Sequence, residues 1–495
     1  MDFNEIAYDW LEPGIFMEVR ANYRNMGLLP YPTKVLIVGQ KLSPGTLAPG
    51  QIMEITRAEQ AIALFGLGSI GAEQVAAFRK ANASSPLFVT ALPDAAGAVK
   101  ASGTFTFSGV APQASVLRFK VAGKAIRFTA LPTDSVAAMA VKLAASINAE
   151  PSLVVTAIAK DAVVTVTARN GGEVGNDIDL RVDVSAQPIP NGLTIAVAPM
   201  AGGAGNPTLQ GALDLVTNSW FTMIQHPWSD VTNMAAFARF LTDRYTATAK
   251  LDVHGFVAKR GTYGQLTTFG ALTNCPYLTA MGLKASPTSA WVLSAAVCGL
   301  AAFHLTNDPA RQLRSLVVPG VDAPDAADQF TEEEQNLLLR TGISTFDHLA
   351  DGATIVSRLI TTYRVSNLNI PDRAWLDIMV PVTMSRIRYD WSSYVALLYP
   401  RAKLVDDDDL GAFVSRSDSG EDAGSAVVTP GRMLASWAAR CKLYAEKVWI
   451  EDVQRTLKES VFARSNDDRN RLESRQQVRI VGNLMVLAGS LEFQV

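Results

Sequence analysis

The sequence predicts an α/β core carrying a β-rich inserted domain, followed by an α+β C-terminal part and bracketed by strand-forming N- and C-terminal arms. Three observations predict it. Short apolar strand runs alternate with helical patterns from about residue 34 to 96 and again from 208, the order that builds a sheet with crossover helices. Between these stretches, residues 97–205 shift to a Thr, Ser, Ala, Gly and Val composition with closely spaced strand patterns. Near both termini the apolar residues fall at every second position, the period of a strand with one buried face.

Residues 1–27 form an arm. Pro13-Gly14 signals a turn, after which Ile15, Met17 and Val19 alternate with Phe16, Glu18 and Arg20. Beyond the Pro30/Pro32 break, Lys34 to Gln40 (K-V-L-I-V-G-Q) reads as a strand buried on both faces, opening the first part of the core, residues 28–96. Thr56 with Glu59 predicts a capping box, a second helix is expected from about Gly71 to Asn82, and a strand from Leu87 to Ala91. Gly-containing joints at 95–97 and 202–207 bound the 97–205 insertion. Within it, strands are expected at 103–108, 117–120, 124–129, 153–158, 162–168 and 193–198, and one helix at 135–149. Surface loops tolerate such insertions best, so this block is expected to fold as a separate outer domain.

The second part of the core, 206–360, has strand patterns near 220–226, 252–257 and 277–282 and helices near 229–248 and 288–304. An Asp351-Gly352 turn then predicts a hairpin. In the C-terminal domain, 361–475, helices are expected from about Asp372, kinked or divided at Pro381, and a long one from Met433 to Phe462 with Arg440, Lys442, Lys447, Arg455 and Lys458 at polar positions. The last arm, 476–495, is apolar on both faces at Leu484, Val486 and their neighbours, then alternates at Leu491, Phe493 and Val495. Such a strand needs a sheet. It either completes its own domain or adds to the sheet of another copy, where main-chain hydrogen bonds supply affinity.

The composition narrows the function. A chain of 495 residues is long enough for about three domains of ~150 residues. A net charge of −3 gives no basic footprint for nucleic acid or an anionic membrane. Cys275, Cys298 and Cys441 are too few and too scattered for a disulfide framework or a zinc knuckle, which fits a reduced compartment. The N-terminal residues show no basic region followed by an apolar run, so no secretion signal is expected. Ala290 to Leu305, interrupted by Ser294 and Gly299, reads as a buried core helix.

The chemical motifs are weak. Gly66-Leu67-Gly68-Ser69-Ile70-Gly71 matches G-x-G-x-x-G, but a helix and not a strand precedes it, which favours a helix-to-helix turn over a nucleotide site. His226, His254, His304 and His348 lack a second ligand at metal-binding spacing. Asp214, His254 and Ser289 occur in the order one hydrolase class uses, without a framing motif around the serine. Asp406 to Asp409 lacks the spacing of a calcium loop and reads as a solvated turn.

Several stretches together resemble the contractile phage tail sheath protein of the Mu-like type. They are Pro13-Gly14 with the following strand and K-V-L-I-V-G-Q, A-L-F-G-L-G-S-I-G from Ala63, the run from Thr331 through Tyr363, D-R-A-W-L-D-I from Asp372, R-A-K-L-V-D-D-D from Arg401, and the terminal helix and strand. The resemblance spans the chain except 97–205. It implies a subtilisin-like sheath core without catalysis or cofactor, and a virion protein made and assembled in the host cytoplasm late in infection. It also implies copies stacked as six-fold rings around a tail tube, with baseplate and tail terminator proteins as further partners and no nucleic acid or membrane insertion. Strand donation by both arms, through Ile15, Met17 and Val19 and through Leu484, Val486, Leu491, Phe493 and Val495, belongs to the same implication. The sheath of a related contractile injection or secretion system is the nearest alternative, and a hydrolase or nucleotide-binding enzyme the more distant one.

Overall fold

The computed structural model describes residues 11–15, 17, 27–185, 187–410 and 427–493. They fall into two compact units, one made of Pro32–Asn307 and Arg311–Pro381, the other of the described residues of Met1–Tyr31, Asp308–Ala310 and Val382–Val495.

The larger unit opens with β1 (Val35–Gln40), β2 (Ile52–Ile55), α1 (Ala58–Phe65), α2 (Ile70–Ala81) and β3 (Leu87–Leu92). The insertion supplies β4 (Ser102–Gly109), β5 (Ser115–Val121), β6 (Lys124–Ala130), α3 (Val136–Asn148), β7 (Val155–Lys160), β8 (Val163–Ala168), β9 (Leu180–Val182) and β10 (Leu193–Ala201). The core resumes with α4 (Gln210–Leu215), β11 (Met223–Gln225), α5 (Val231–Arg244), β12 (His254–Arg260), α6 (Tyr263–Gly270), β13 (Leu278–Leu283) and α7 (Ala290–Asn307). It closes with β14 (Val317–Asp322), α8 (Glu332–Arg340), β15 (Ile343–His348) and β16 (Ala353–Arg358).

Nine strands form one sheet in the order β14-β16-β15-β13-β12-β11-β1-β3-β2. Its centre, from β3 through β1, β11, β12 and β13 to β15, is parallel. Central parallel strands are covered on both faces, which is why V-L-I-V-G-Q is buried along its whole length. Close packing of α2 on β1 requires glycine. A Cβ on Gly71 would stand 2.3 Å from the Phe65 ring, and one on Gly39 would stand 2.7 Å from that ring and from the Gly71 Cα. On this sheet α7 is a core helix, with Trp291, Leu293, Val297 and Cys298 fully buried.

Within the insertion, β10-β4-β8-β7 and β6-β5-β9 form two sheets. Its ends meet where Val99 and Ala204 exchange hydrogen bonds of 2.8 and 3.2 Å. The insertion belongs to the same compact unit as the core, and one apolar cluster runs from Leu36 and Ile70 of the core through Phe105, Phe119 and Leu143 of the insertion.

Three local expectations need correction. Gln60, not Glu59, closes the box at the start of α1, its side chain accepting from the backbone N–H of Thr56 at 2.8 Å and Arg57 at 3.0 Å. The stretch from Asp372 is not helical. Asp372 instead accepts from the Tyr363 hydroxyl at 2.7 Å, and α9 (Met379–Leu398) begins only at Met379, with Pro381 in its first turn, where a missing N–H costs no helical bond. The predicted long helix is α10 (Pro430–Glu446) and α11 (Val453–Glu459), separated by Val448 and Asp452 at φ of 59° and 49°, a left-handed conformation that ends a helix.

The smaller unit holds α9 from Val382 onward, α10, α11, the two-residue pairing of β17 (Lys403–Leu404) with β18 (Val427–Val428), and the hairpin of β19 (Val461–Arg464) with β20 (Leu472–Arg475). Trp437, Cys441, Tyr444, Trp449 and Ile387 form its core. Arg440, expected on a basic face, lies inside it. Its guanidinium grips Asp390 through Nε at 2.9 Å and Nη2 at 2.6 Å, both side chains being 1% exposed. Tyr444 donates its hydroxyl to the same carboxylate at 2.7 Å, Leu29 donates its N–H at 2.9 Å, and Arg440 Nη1 donates to the Gly27 carbonyl at 3.2 Å. Burial alone would lower the Arg440 pKa, but the bond to Asp390 holds it above its ordinary value. Burial and the Asp390 charge push the Tyr444 phenol up.

Removing one partner strands the other charge in an apolar core. Asp390→Ala and Arg440→Ala should each destabilise the smaller unit by about 3–5 kcal/mol. Denaturant titration followed by tryptophan fluorescence reads this, and a loss below about 1 kcal/mol for both variants would contradict the assignment.

His226 stacks on Trp228 and meets the Phe237 ring edge at 4.5 Å, while His254 Nε2 is 2.8 Å from the Thr279 hydroxyl. Burial pushes both down to about 3. Unfolded imidazoles titrate near pH 6.5, so the unfolded chain binds more protons between pH 6.5 and 3. Their contribution to stability is complete above about pH 6.5 and is lost as pH falls, by roughly 2–3 kcal/mol per histidine at pH 4.5. Urea midpoints at pH 7 and 4.5 should therefore differ less in a His226→Gln, His254→Gln variant than in the parent chain. Equal differences would contradict the mechanism.

Candidate functional site

The chemical candidates do not assemble. Asp214 accepts from Gln210 at 2.7 Å, His254 bonds Thr279, and the buried Ser289 hydroxyl has no hydrogen-bond partner among the described residues. A relay from carboxylate through imidazole to hydroxyl is not formed. The Gly66–Gly71 motif is the turn between α1 and α2. A Cβ on Gly68, whose φ is 76°, would stand 2.6 Å from the Leu153 carbonyl of the insertion. The amides opening α2 are used by protein groups, that of Ile70 by Asn170 Oδ1 at 3.2 Å and that of Ala72 by Ser69 at 3.2 Å. Asp406 pairs with Arg464 at 2.9 Å, and Asp407 accepts from the Gly431 N–H at the start of α10. Among the described residues no group of three or more His, Cys, Asp or Glu is placed to hold a metal ion.

An open α/β sheet binds ligands outside the carboxyl ends of its strands, where the strand order reverses. Here that point lies between β1 and β11. The insertion fills it. Gln40, the last residue of β1, donates to Asp94 at 2.7 Å and to the Gly171 carbonyl at 2.6 Å, while Trp228 donates to Gln40 at 3.3 Å. Asp94 accepts from Asn170 at 3.0 Å and from the Gly171 N–H at 2.8 Å. Arg260 at the end of β12 pairs with Asp179, which also binds Arg181. Gln40, Asp94, Asn170, Gly171 and Trp228 satisfy one another there, while neither ring nitrogen of the buried His226 after β11 has a hydrogen-bond partner among the described residues.

The terminal arms present a different surface. Residues 479–481 run beside 449–451, with Glu451 N–H donating to Arg479 at 2.9 Å and Val481 N–H to Trp449 at 3.1 Å. Asn483 is anchored to the Ala310 carbonyl at 2.9 Å. From there the apolar side chains face solvent, from 71% exposure at Leu484, through Val486 and Phe493, to full exposure at Leu491. Of the strand predicted for 478–495, the described residues show one bridge, between Ile450 and Ile480. Ile15 and Met17 are likewise almost fully exposed, while Val19 and Val495 lie outside the described residues.

Sheet edges are where an added strand could dock, and four of them are blunted. Pro319 and a register shift interrupt β14, and Pro199 with a bulge interrupts β10. The outer edge of β7 is occupied by Asn148, whose amide bonds both the N–H and the carbonyl of Ala157, at 3.0 and 2.7 Å. Arg79 takes the Ile55 carbonyl of the short β2 at 2.5 Å. The β19–β20 hairpin has no such guard: it contains no proline, and among the described residues no third strand joins it. Sequence reasoning missed this hairpin by running the preceding helix through Phe462. The polar turn Ser465-Asn466-Asp467-Asp468-Arg469-Asn470 between V-F-A-R and L-E-S-R was the available signal.

A family model described as the phage tail sheath protein central domain matches residues 202–362. The Mu-like prophage FluMu tail sheath protein of Haemophilus influenzae is 31% identical over 398 residues, covering 80% of each chain. Among solved structures, a sheath tail protein from Desulfitobacterium hafniense covers 94% of this chain and 100% of its own at 12% identity and a TM-score of 0.47. One from Listeria innocua covers 91% and 92% at 13% identity and a TM-score of 0.48. The sheath complex of an extracellular contractile injection system in its contracted state covers 98% of both chains at 9% identity and a TM-score of 0.49.

Proposed function

This chain belongs to the phage tail sheath protein family, and on that premise we propose that it is the structural subunit of a Mu-like contractile tail sheath. Copies stack as six-fold rings around a tail tube, between a baseplate and a tail terminator protein. Contraction drives the tube through the host envelope. The protein resides in the virion after synthesis and assembly in the host cytoplasm, and its core is the subtilisin-like sheath fold put to a non-enzymatic use. The filled crevice and the unassembled Asp214, His254 and Ser289 support that last point.

The observation that carries the reading, beside the family, is the exposure of Leu484, Val486, Leu491 and Phe493 on the C-terminal arm. We assign these residues, with Ile15, Met17, Val19 and Val495, to strands added to other copies. The β19–β20 hairpin is their acceptor, since a two-stranded hairpin is marginal alone and gains from a third strand. About six paired residues add four to six main-chain hydrogen bonds worth ~1 kcal/mol each. Burying Leu491, Phe493 and Val495 adds roughly 1.5–3 kcal/mol apiece at most. Before the cost of ordering the arm, this is on the order of 10 kcal/mol.

Deleting Ser490–Val495 should leave a soluble monomer with an unchanged unfolding midpoint that no longer forms hollow striated cylinders in electron micrographs, where the full chain does. Cylinders of normal length from the truncated chain would overturn strand donation. A truncated chain that does not fold would return the arm to its own domain.

With no fuel-binding site formed among the described residues, the energy of contraction is stored in the extended lattice and released through contacts made in the short state. Extended particles should therefore shorten irreversibly on brief acid or denaturant treatment without nucleotide or metal. A requirement for ATP would sink this mechanism.

A further inference from the structure

The two faces of the β19–β20 hairpin differ. Phe462 lies opposite Ser474 and Arg464 opposite Leu472, while Val461 lies opposite Arg475 and Ala463 opposite Glu473. Residues directly opposite share a face, so the hairpin has a Phe462 side and a Val461 side. The Phe462 side is turned to the core of the smaller unit: the Phe462 ring stands 6.2 Å from that of Trp391, and Leu472 is half-buried. The Val461 side faces outward, with Val461 49% exposed and Ala463, Glu473 and Arg475 exposed beside it.

The outward side carries two charges, both on β20. Arg471 takes Glu473 at 3.0 Å, which leaves Arg475 without an ion pair among the described residues. The two edges of the hairpin therefore offer different neighbours to an added strand. Beside β20 an outward side chain meets Arg475; beside β19 it meets the uncharged Val461 and Ala463.

The C-terminal arm is divided in the same way. Leu491, Phe493 and Val495 alternate with Ser490, Glu492 and Gln494, and Glu492 is the one charged residue from Leu484 to Val495. With Leu491 and Phe493 laid on the core side next to Leu472, the strand period turns Glu492 to the side of Arg475. A slip of one residue would turn Glu492 toward the core and both apolar side chains toward solvent.

We propose that the C-terminal arm of one copy docks on the β20 edge of a second copy, with Glu492 against Arg475 selecting the edge and the register. Opposite charges side by side on adjacent strands favour pairing and like charges oppose it. The pair selects the position, while main-chain hydrogen bonds and apolar burial supply the affinity. The proposal rests on the strand-donation reading and adds to it the edge, the face and the recognising charge.

Charge reversal tests it. Glu492→Lys and Arg475→Glu should each keep the unfolding midpoint of the parent and raise the critical concentration for polymerisation about fivefold. The chain carrying both should return to within about twofold of the parent. A double variant no better than the worse single one overturns the charge pair and leaves strand donation standing, because deletion of Ser490–Val495 tests donation by itself. The edge is read by cross-linking polymers with a short bismaleimide. Glu492→Cys with Arg475→Cys should yield ladders of joined copies, and Glu492→Cys with Val461→Cys should not. The background is low, because Cys275, Cys298 and Cys441 are all buried. Ladders from the Val461 pair alone move the arm to β19 and overturn the assignment. Efficient cross-linking within single copies, below the concentration at which polymers form, overturns it in favour of closure on the arm's own hairpin. A parent chain that forms no polymer overturns both this contact and the sheath reading.

Discussion

A strand edge exposes a row of N–H and carbonyl groups that must find partners, and the organisation of this chain follows from how it meets that constraint. In the large sheet the parallel strands are enclosed, with short antiparallel strands at the flanks. Proline interrupts β14 and β10, an asparagine amide stands in for a neighbour on β7, and an arginine takes a carbonyl of β2. Each device prevents the larger unit from pairing indiscriminately. In the smaller unit the β19–β20 hairpin contains no proline, and among the described residues no third strand joins it.

The same packing logic applies where the strand order of the α/β core reverses. Crossovers leave a crevice where the strand order reverses between β1 and β11, and here Gln40, Asp94, Asn170, Gly171 and Trp228 satisfy one another within it. Opening the crevice to a ligand would strand several buried polar groups at once, at roughly 1–3 kcal/mol each. The insertion is therefore a stopper as well as an appendage. It also braces the carboxyl end of the sheet, through Arg260, Asp179 and Arg181 and through the abutment of Gly68 on Leu153. Core and insertion accordingly form one compact unit.

Much of this was legible in the sequence because it is local. Strand periods at 103–108, 124–129 and 162–168, the Asp351-Gly352 hairpin and the buried run of β1 are written in consecutive residues, and the structure places strands there. What the sequence hid depends on distant partners. Arg440 reads as one more surface cation until Asp390, 50 positions away, turns it inward. The three-residue β9 has too short a period to detect, and the clamp between Asp94 and Gly171 spans 77 positions. Helical spacing from Met433 persists through Phe462 by coincidence, because the break at Val448 and Asp452 is set by left-handed backbone and not by glycine or proline. The alternation at the C-terminal arm predicts a strand, of which the described residues show the one bridge at Ile480.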